Sequence, residues 1–442
     1  MRPYKTALVL GLASSGEAAA RLLLSEGAQV LIADGGDSEI LRRRAAALQA
    51  LGAEVRLGAA APAYGDFEIA IVSPGIPVTS DMVKAVAARG IPVVSEVELG
   101  WSRFAGRVLA VSGSNGKSTL VKLCAEALAL AGRQVAIAGN YGPPASAVVR
   151  AGKHPDWLVL EISSFQLETV QAFRPDVGVL LNVTPNHLDR HGDFKAYRQL
   201  KSRLFARMAA ADTGITDPDI LPEIRALAGS PNRWVTAGVH PAADFFYQPG
   251  AIHVPHLRKK INLSGTIFDN EVMGLTAAAA AAALSACEVE ASYLAAAARA
   301  FQPLPHRLQN VADVRGVKYI DDSKATNLAA MMAALRMTPR PIRLIAGGLS
   351  KHEPYEPARI LLGEKVISAH LIGQAAETMA RAWRGAVPCV INGTLAQAVA
   401  EAARQAVPGD TVLLSPGCAS FDQFHNFEER GERFISAIQA LS

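Results

Sequence analysis

The chain has 442 residues, half of them hydrophobic, and a formal net charge of only +4. That length exceeds what one core organises and points to about three domains, while the apolar content excludes a largely disordered chain. So even a charge balance argues against an extended nucleic-acid face, and the one basic run, Arg258-Lys259-Lys260, reads as a solvated loop.

The N-terminus imitates a signal peptide, with Arg2 and Lys5 ahead of an apolar run at 6–13. Gly11 and Gly16 lead instead into a helix and a second strand, so the stretch is read as folded. Strands are expected at 6–10, 29–33 and 69–72, with a helix at 17–26. Asp34 ends the second strand, where an acidic residue meets a ribose hydroxyl in a dinucleotide fold. Ala13 replaces the second glycine of that fingerprint, so an unliganded Rossmann-like module fits as well as a nucleotide-binding one. Ser73-Pro-Gly-Ile-Pro77 follows a strand and lies on the same sheet edge as Gly11.

A second domain starts near residue 94 and holds the most informative stretch, Val108-Leu-Ala-Val-Ser-Gly-Ser-Asn-Gly-Lys-Ser-Thr119. An apolar strand stops at Gly113, and Lys117, Ser118 and Thr119 open a helix reaching about 131. Gly113, Ser114, Asn115 and Gly116 form a turn whose amides can face one anion, so the segment is built for nucleotide phosphates and magnesium. Val111 stands where the long form of this motif has glycine, which leaves a shorter loop.

Further strands at 135–138, 157–160 and 177–181 end in Asn140, Glu161 and Asn182, with His187 and Asp189 just beyond. Parallel strands put all these ends on the edge that carries the phosphate loop. Ser118, Asn140, Glu161 and His187 are therefore expected to converge, with oxygen and nitrogen donors suited to a metal or phosphate. Residues 209–255 show little periodicity and are expected to be irregular, and the alanine tract at 277–283 is read as an interior helix.

A third domain begins near 303–307, with strands at 317–320, 342–346, 367–372 and 411–414. Polar loops follow three of them, at 321–327, 347–351 and 415–420, and Lys324 and Lys351 supply positive charge to one edge. No apolar run nears the ~20 residues of a membrane span. Cys124, Cys287, Cys389 and Cys418 are too scattered for a disulfide framework or zinc site, which suits a reducing cytoplasm. The fold class is thus α/β in three domains: Rossmann-like at 1–93, a P-loop parallel sheet at 94–302, and Rossmann-like again at 303–442.

In family order, seven segments resemble the Mur ligases, the ATP-dependent amide-forming enzymes of peptidoglycan precursor synthesis. They are Gly113-Ser-Asn-Gly-Lys-Ser-Thr119, Gly139-Asn-Tyr-Gly142, Leu160-Glu-Ile-Ser-Ser-Phe-Gln-Leu-Glu168, Leu181-Asn-Val-Thr-Pro-Asn-His-Leu-Asp189, Pro305-His-Arg307, Asp322-Ser-Lys-Ala-Thr-Asn327 and Leu413-Leu-Ser-Pro-Gly-Cys-Ala-Ser-Phe-Asp-Gln-Phe424. The last two resemble the glutamate-adding branch.

The resemblance implies that Ser14, Ser15, Ser73 and Gly75 grip the UDP end of UDP-N-acetylmuramoyl-L-alanine, with Asn140 and His187 at its muramoyl-alanine end. ATP is implied at 113–119, with Asn270, Arg307 and Asp322 at its adenine and ribose. Lys201 matches a lysine carried as a carbamate, able to hold a second magnesium, although by sequence alone it is a helical surface lysine. Lys324, Thr326, Lys351, Ser420 and Phe427 are implied around D-glutamate.

Catalytic roles fall to Lys117, His187, Lys201 and Lys324, and metal contacts to Ser118, Glu161, His187 and Lys201. One or two magnesium ions and a cytoplasmic monomer without nucleic-acid or membrane partners are implied. Two segments depart from the family: Asp269-Asn270-Glu-Val-Met273 stands for His-Asn-x-x-Asn, and Gly35-Gly36 for a threonine and an arginine. A folylpolyglutamate-type ligase or a P-loop switch are the rival readings, separated by whether phosphate release needs glutamate.

Overall fold

The computed structural model describes residues 3–58, 65–153, 155–230, 232–350 and 354–441. The chain divides into two compact units, 1–183 with 193–300, and 184–192 with 301–442.

The first unit contains two sheets. Strands β1 (Thr6–Leu10), β2 (Gln29–Asp34), β3 (Glu54–Leu57), β4 (Ile69–Val72) and β5 (Val93–Ser95) are all parallel, in the order β3-β2-β1-β4-β5. Neighbours on both sides bury β1, and its residues 7–10 are fully enclosed, as a continuous apolar run requires. Because β2 and β4 flank β1, the loops after β1 and β4 meet at the switch point, and the Ser73 hydroxyl donates to the Gly11 carbonyl at 3.1 Å.

The second sheet comprises β6 (Arg107–Ser112), β7 (Val135–Gly139), β8 (Trp157–Glu161), β9 (Val177–Leu180), β10 (Thr213–Thr216), β11 (Arg233–Gly238), β12 (Phe245–Gln248), β13 (Ala251–Val254) and β14 (Lys259–Asn262). Their order is β14-β13-β12-β11-β10-β9-β6-β8-β7, parallel from β7 to β12, with β13 and β14 added antiparallel. The central sheet is therefore mostly parallel rather than wholly so.

Residues 209–255 were expected to be irregular, yet they carry β10 to β13 and the helix Leu221–Ala228. All four residues of β10 are buried, so no polar–apolar alternation marks it in the sequence. Pro222 reads as a breaker but sits in the helix's first turn, where its missing N–H costs nothing.

The third sheet, in the second unit, comprises β15 (Gln309–Val314), β16 (Val317–Asp321), β17 (Ile342–Gly347), β18 (Val366–Ile372), β19 (Cys389–Gly393) and β20 (Thr411–Leu414), ordered β15-β16-β20-β17-β18-β19. Only β15 is antiparallel, so the loops after β16, β17 and β20 emerge together on one edge as expected. No helix among the described residues is long and apolar enough to cross a membrane.

The alanine tract lies in the helix Glu271–Ala286 and is buried from Ala277 to Ala283. Small side chains let this helix press against strand residues, most closely at Gly274, where an added Cβ would stand 2.2 Å from the Tyr247 ring. In an open helix Gly→Ala gains about 1 kcal/mol of stability from propensity. Here overpacking, worth about 1–3 kcal/mol, opposes that gain. Gly274→Ala is expected to lower the thermal unfolding midpoint of the protein, and a raised midpoint would mean the Tyr247 ring yields freely.

Candidate active site

The phosphate loop leaves β6 at Ser112 and closes on the helix Lys117–Leu130. Gly116, with φ of 80°, occupies the helix N-cap and offers no capping side chain, so the positive end of the helix dipole faces outward from the sheet edge. Asn182, which follows β9, braces the loop. Its Oδ1 accepts from the amides of Ser114 (3.1 Å) and Asn115 (2.9 Å), and its Nδ2 donates to the Asn115 carbonyl at 3.1 Å. The Lys117 ammonium donates to the Ser114 carbonyl at 3.0 Å, which folds it back over the loop.

Strand β8 pairs with β6 so that Glu161 lies opposite Val111, one step before the loop. Glu161 is 2% exposed. The Ser118 hydroxyl donates to its Oε2 at 2.6 Å, and the Asn140 Nδ2 donates to its Oε1 at 2.5 Å. Asn140 reaches that position because Gly139, at φ of 102°, brings the end of β7 directly against β8. A Cβ there would stand 2.2 Å from the Glu161 carbonyl oxygen, so only glycine permits the approach.

Ser118, Asn140 and Glu161 thus meet as the strand ends suggested. A hydroxyl and a carboxylate side by side are hard oxygen donors. His187, by contrast, belongs to the second unit, where it adopts a left-handed conformation with φ of 55°.

Lys201 differs from its surface reading. It lies on the helix Phe194–Ser202 and is only 1% exposed. Its ammonium donates to the Gly113 carbonyl at 3.0 Å and the Ser112 hydroxyl at 3.3 Å, and it stands 4.8 Å from the Tyr197 ring centroid. Burial first, and then repulsion from Lys117, hold its pKa well below the usual lysine value, against the opposing pull of Glu161. Tyr197 adds a contact between its hydroxyl and that of Ser114, 3.3 Å apart.

At the other sheet of this unit, Ser14 and Ser15 open the helix Ser14–Ser25, Ser73 is buried and Gly75 is exposed. Asp34 is already engaged: its Oδ2 accepts from the Leu12 amide at 2.6 Å and its Oδ1 from the Gly36 amide at 2.8 Å. Its work in this structure is to hold the turn after β1. Asn270 is likewise occupied, its Oδ1 capping Met273 and its Nδ2 donating to the Ile267 carbonyl. Asp269, standing where the family pattern has histidine, accepts from the Tyr247 hydroxyl and the Gly250 amide.

In the second unit Asp321 pairs with His306 at 2.6 Å, and Asp322 accepts from the Ser415 hydroxyl at 2.8 Å and the Leu308 amide at 3.2 Å. Burial pushes Asp322 up to about 7. Lys324 lies 3.5 Å from the centre of the Phe427 ring, a close cation–π contact that groups two expected residues. Thr326 is half-buried and Ser420 buried on the adjoining loops. Arg307 lies in the same unit, and Lys351 lies outside the described residues.

Arg430 escaped the sequence reading. It sits among charged neighbours in Phe427-Glu-Glu-Arg430 and looks solvent-facing, yet it is fully buried. Its guanidinium donates to the Ser323 hydroxyl and carbonyl and to the carbonyls of Cys418 and Ala419, which ties two of the three edge loops together. Asn182 was placed on this edge by the strand pattern but without a role, and the structure makes it the brace of the phosphate loop.

Residues 111–279 match the family model of the Mur ligase middle domain, and residues 306–418 that of the Mur ligase glutamate ligase domain. A UDP-N-acetylmuramoylalanine–D-glutamate ligase from Acidobacterium capsulatum is 39% identical over 99% of this chain and 96% of its own length. A protein of the same name from Myxococcus xanthus is 37% identical over 98% of both chains. The crystal structure of a MurF ligase from Thermotoga maritima in complex with ADP superposes with a TM-score of 0.63 over 94% of this chain and 96% of that one, at 17% identity, a likeness of fold. With relatives of this identity along its whole length and the phosphate loop and Glu161 geometry in place, the chain belongs to the Mur ligase family, the ATP-dependent enzymes that join an acid to an amino acid.

Proposed function

We propose that the chain adds D-glutamate to UDP-N-acetylmuramoyl-L-alanine, using ATP through an acyl phosphate, as a cytoplasmic monomer. The observation that carries this reading is the contact of Ser118 and Asn140 with the buried Glu161 at the end of the phosphate loop, in a chain with full-length relatives of that name. Domains at 1–93, 94–302 and 303–442 would serve the UDP-substrate, ATP and the amino acid respectively. Ser14, Ser15, Ser73 and Gly75 are assigned to the UDP end, and Lys324, Thr326, Lys351, Ser420 and Phe427 to D-glutamate. Arg307, Asp322 and Asn270 are kept as nucleotide contacts on the family resemblance.

In the first step a carboxylate oxygen of muramoyl-L-alanine attacks the γ-phosphorus of ATP, and the bond to the β–γ bridging oxygen breaks to release ADP. In the second the D-glutamate amine, having lost a proton, attacks the acyl carbonyl, the carbon–oxygen bond to phosphate breaks, and the nitrogen gives up a second proton, which leaves with the phosphate. Two anions must approach in the first step, so positive potential decides the rate. Lys117 and the helix N-terminus at Gly116 supply it from the chain itself. Asn140 orients the acceptor and fixes Glu161.

Magnesium binds through one or two carboxylates plus substrate phosphates, and the Ser118–Glu161 pair offers a hydroxyl and a carboxylate of that kind. A magnesium ion held there would neutralise charge on the triphosphate. On the family resemblance His187 is kept as a metal contact, and Lys201 as the holder of a second ion. Carbamylation of Lys201 needs an unprotonated amine to add to carbon dioxide, and its lowered pKa favours that form. The product is an anion where the bare side chain is a cation.

Phosphate release from ATP and UDP-N-acetylmuramoyl-L-alanine should depend on D-glutamate within a panel of amino acids. Release without any amino acid would mark a P-loop switch instead. Lys117→Ala should reduce that release by about 10²–10³-fold or more, and full activity would remove the phosphate-loop assignment. Lys201→Ala should be inactive yet partly restored by added short carboxylic acids. A folded Lys201→Ala protein that such acids never restore would leave the carbamate without support.

A further inference from the structure

Glu96 is the most costly buried group that the proposed mechanism leaves unused. It opens the helix Glu96–Trp101 and is 1% exposed. A glutamate so placed is normally ion-paired. Here the partners lie at a helix start: its Oε1 accepts from the Ser146 amide at 2.6 Å, and its Oε2 finds no hydrogen-bond partner among the described residues. Burial raises its pKa to about 7, so a neutral residue would suit this place better on stability alone.

What the carboxylate holds is the start of the helix Ala145–Arg150. One turn beyond Glu96, a Cβ on Gly100 would stand 2.6 Å from the Ala145 backbone and side chain, so the two helices touch through their backbones. From Ser146 the chain runs back through Pro144 and Pro143, whose φ angles are fixed by their rings. The Gly139 amide donates to the Pro143 carbonyl at 2.9 Å and closes the loop, and the Asn140 amide donates to the Glu161 carbonyl at 2.9 Å. The segment 139–146 is therefore held by Glu161 at one end and by Glu96 at the other, with two proline φ angles fixed between. Asn140 sits within it.

We infer that Glu96 is a positioning residue: by fixing Ser146 it sets the reach of the Asn140 side chain toward the muramoyl-alanine end of the UDP-substrate. This rests on the assignment of Asn140 made under Proposed function.

The test is steady-state kinetics of the full-length enzyme with each substrate varied in turn. Glu96→Ala should raise KM for UDP-N-acetylmuramoyl-L-alanine by about tenfold or more, the loss expected for one hydrogen bond to a charged group. KM for ATP and for D-glutamate should stay within about twofold. Glu96→Gln keeps the acceptor and should recover most of the loss. Glu96→Asp keeps the charge but falls one methylene short, should resemble the alanine variant, and stands in for it if that variant does not fold.

Asn140→Ala should raise the same KM, and Glu96→Ala should add little in that background. The inference is overturned if Glu96→Ala leaves that KM unchanged while Asn140→Ala raises it, if all three KM values rise together, or if the two effects add in full. If Asn140→Ala itself leaves the KM unchanged, the assignment of Asn140 falls and the role of Glu96 falls with it.

Discussion

A carboxylate kept out of water at the end of a parallel strand is the constraint on which the rest of this site depends. Glu161 at 2% exposure needs donors for both oxygens, and a charge left unpaired there would cost several kcal/mol. Ser118 and Asn140 supply those donors without neutralising it. They come from different elements: Ser118 from the first turn of the helix after the phosphate loop, and Asn140 from the residue after β7, where a one-residue slip of the β7–β8 pairing would move it off Glu161. The close approach at Gly139 is the backbone's share of the same requirement.

Charge on the other side of the loop is arranged in opposition. Burial, and then the nearby Lys117, depress the pKa of Lys201, whose side-chain nitrogen donates to a carbonyl and a hydroxyl rather than to a carboxylate. Lys117 thereby keeps positive charge over a loop shaped for phosphates, which attracts a triphosphate. In the second unit Arg430 solves a different problem, binding carbonyls of loops that no strand pairing would hold in place. Burial draws its pKa down to about 10, so it stays charged while it does this.

Much of this was legible in the sequence because a parallel sheet writes its edge plainly. An apolar run followed by polar residues marks both the strand and the side chains at its tip, which is how Asn140 and Glu161 were grouped with Ser118 of the phosphate-loop motif. The same logic anticipated the loops after β16, β17 and β20. It failed where no pattern existed to read. Strand β10 has four buried residues and no alternation, and Lys201 and Arg430 sit in helices whose charged neighbours suggest solvent. Asp34, for which the sequence left a ribose contact and an unliganded module equally open, accepts from the amides of Leu12 and Gly36, a local pairing that strand-end position does not reveal.

In the proposed reaction this edge activates a carboxylate by phosphorylating it before the amine attacks. The most direct test is the fate of oxygen when UDP-N-acetylmuramoyl-L-alanine carries ¹⁸O in both carboxylate positions. Transfer through an acyl phosphate leaves one ¹⁸O in each phosphate released and one in the new amide. Phosphate released without label, alongside amide product, would contradict it.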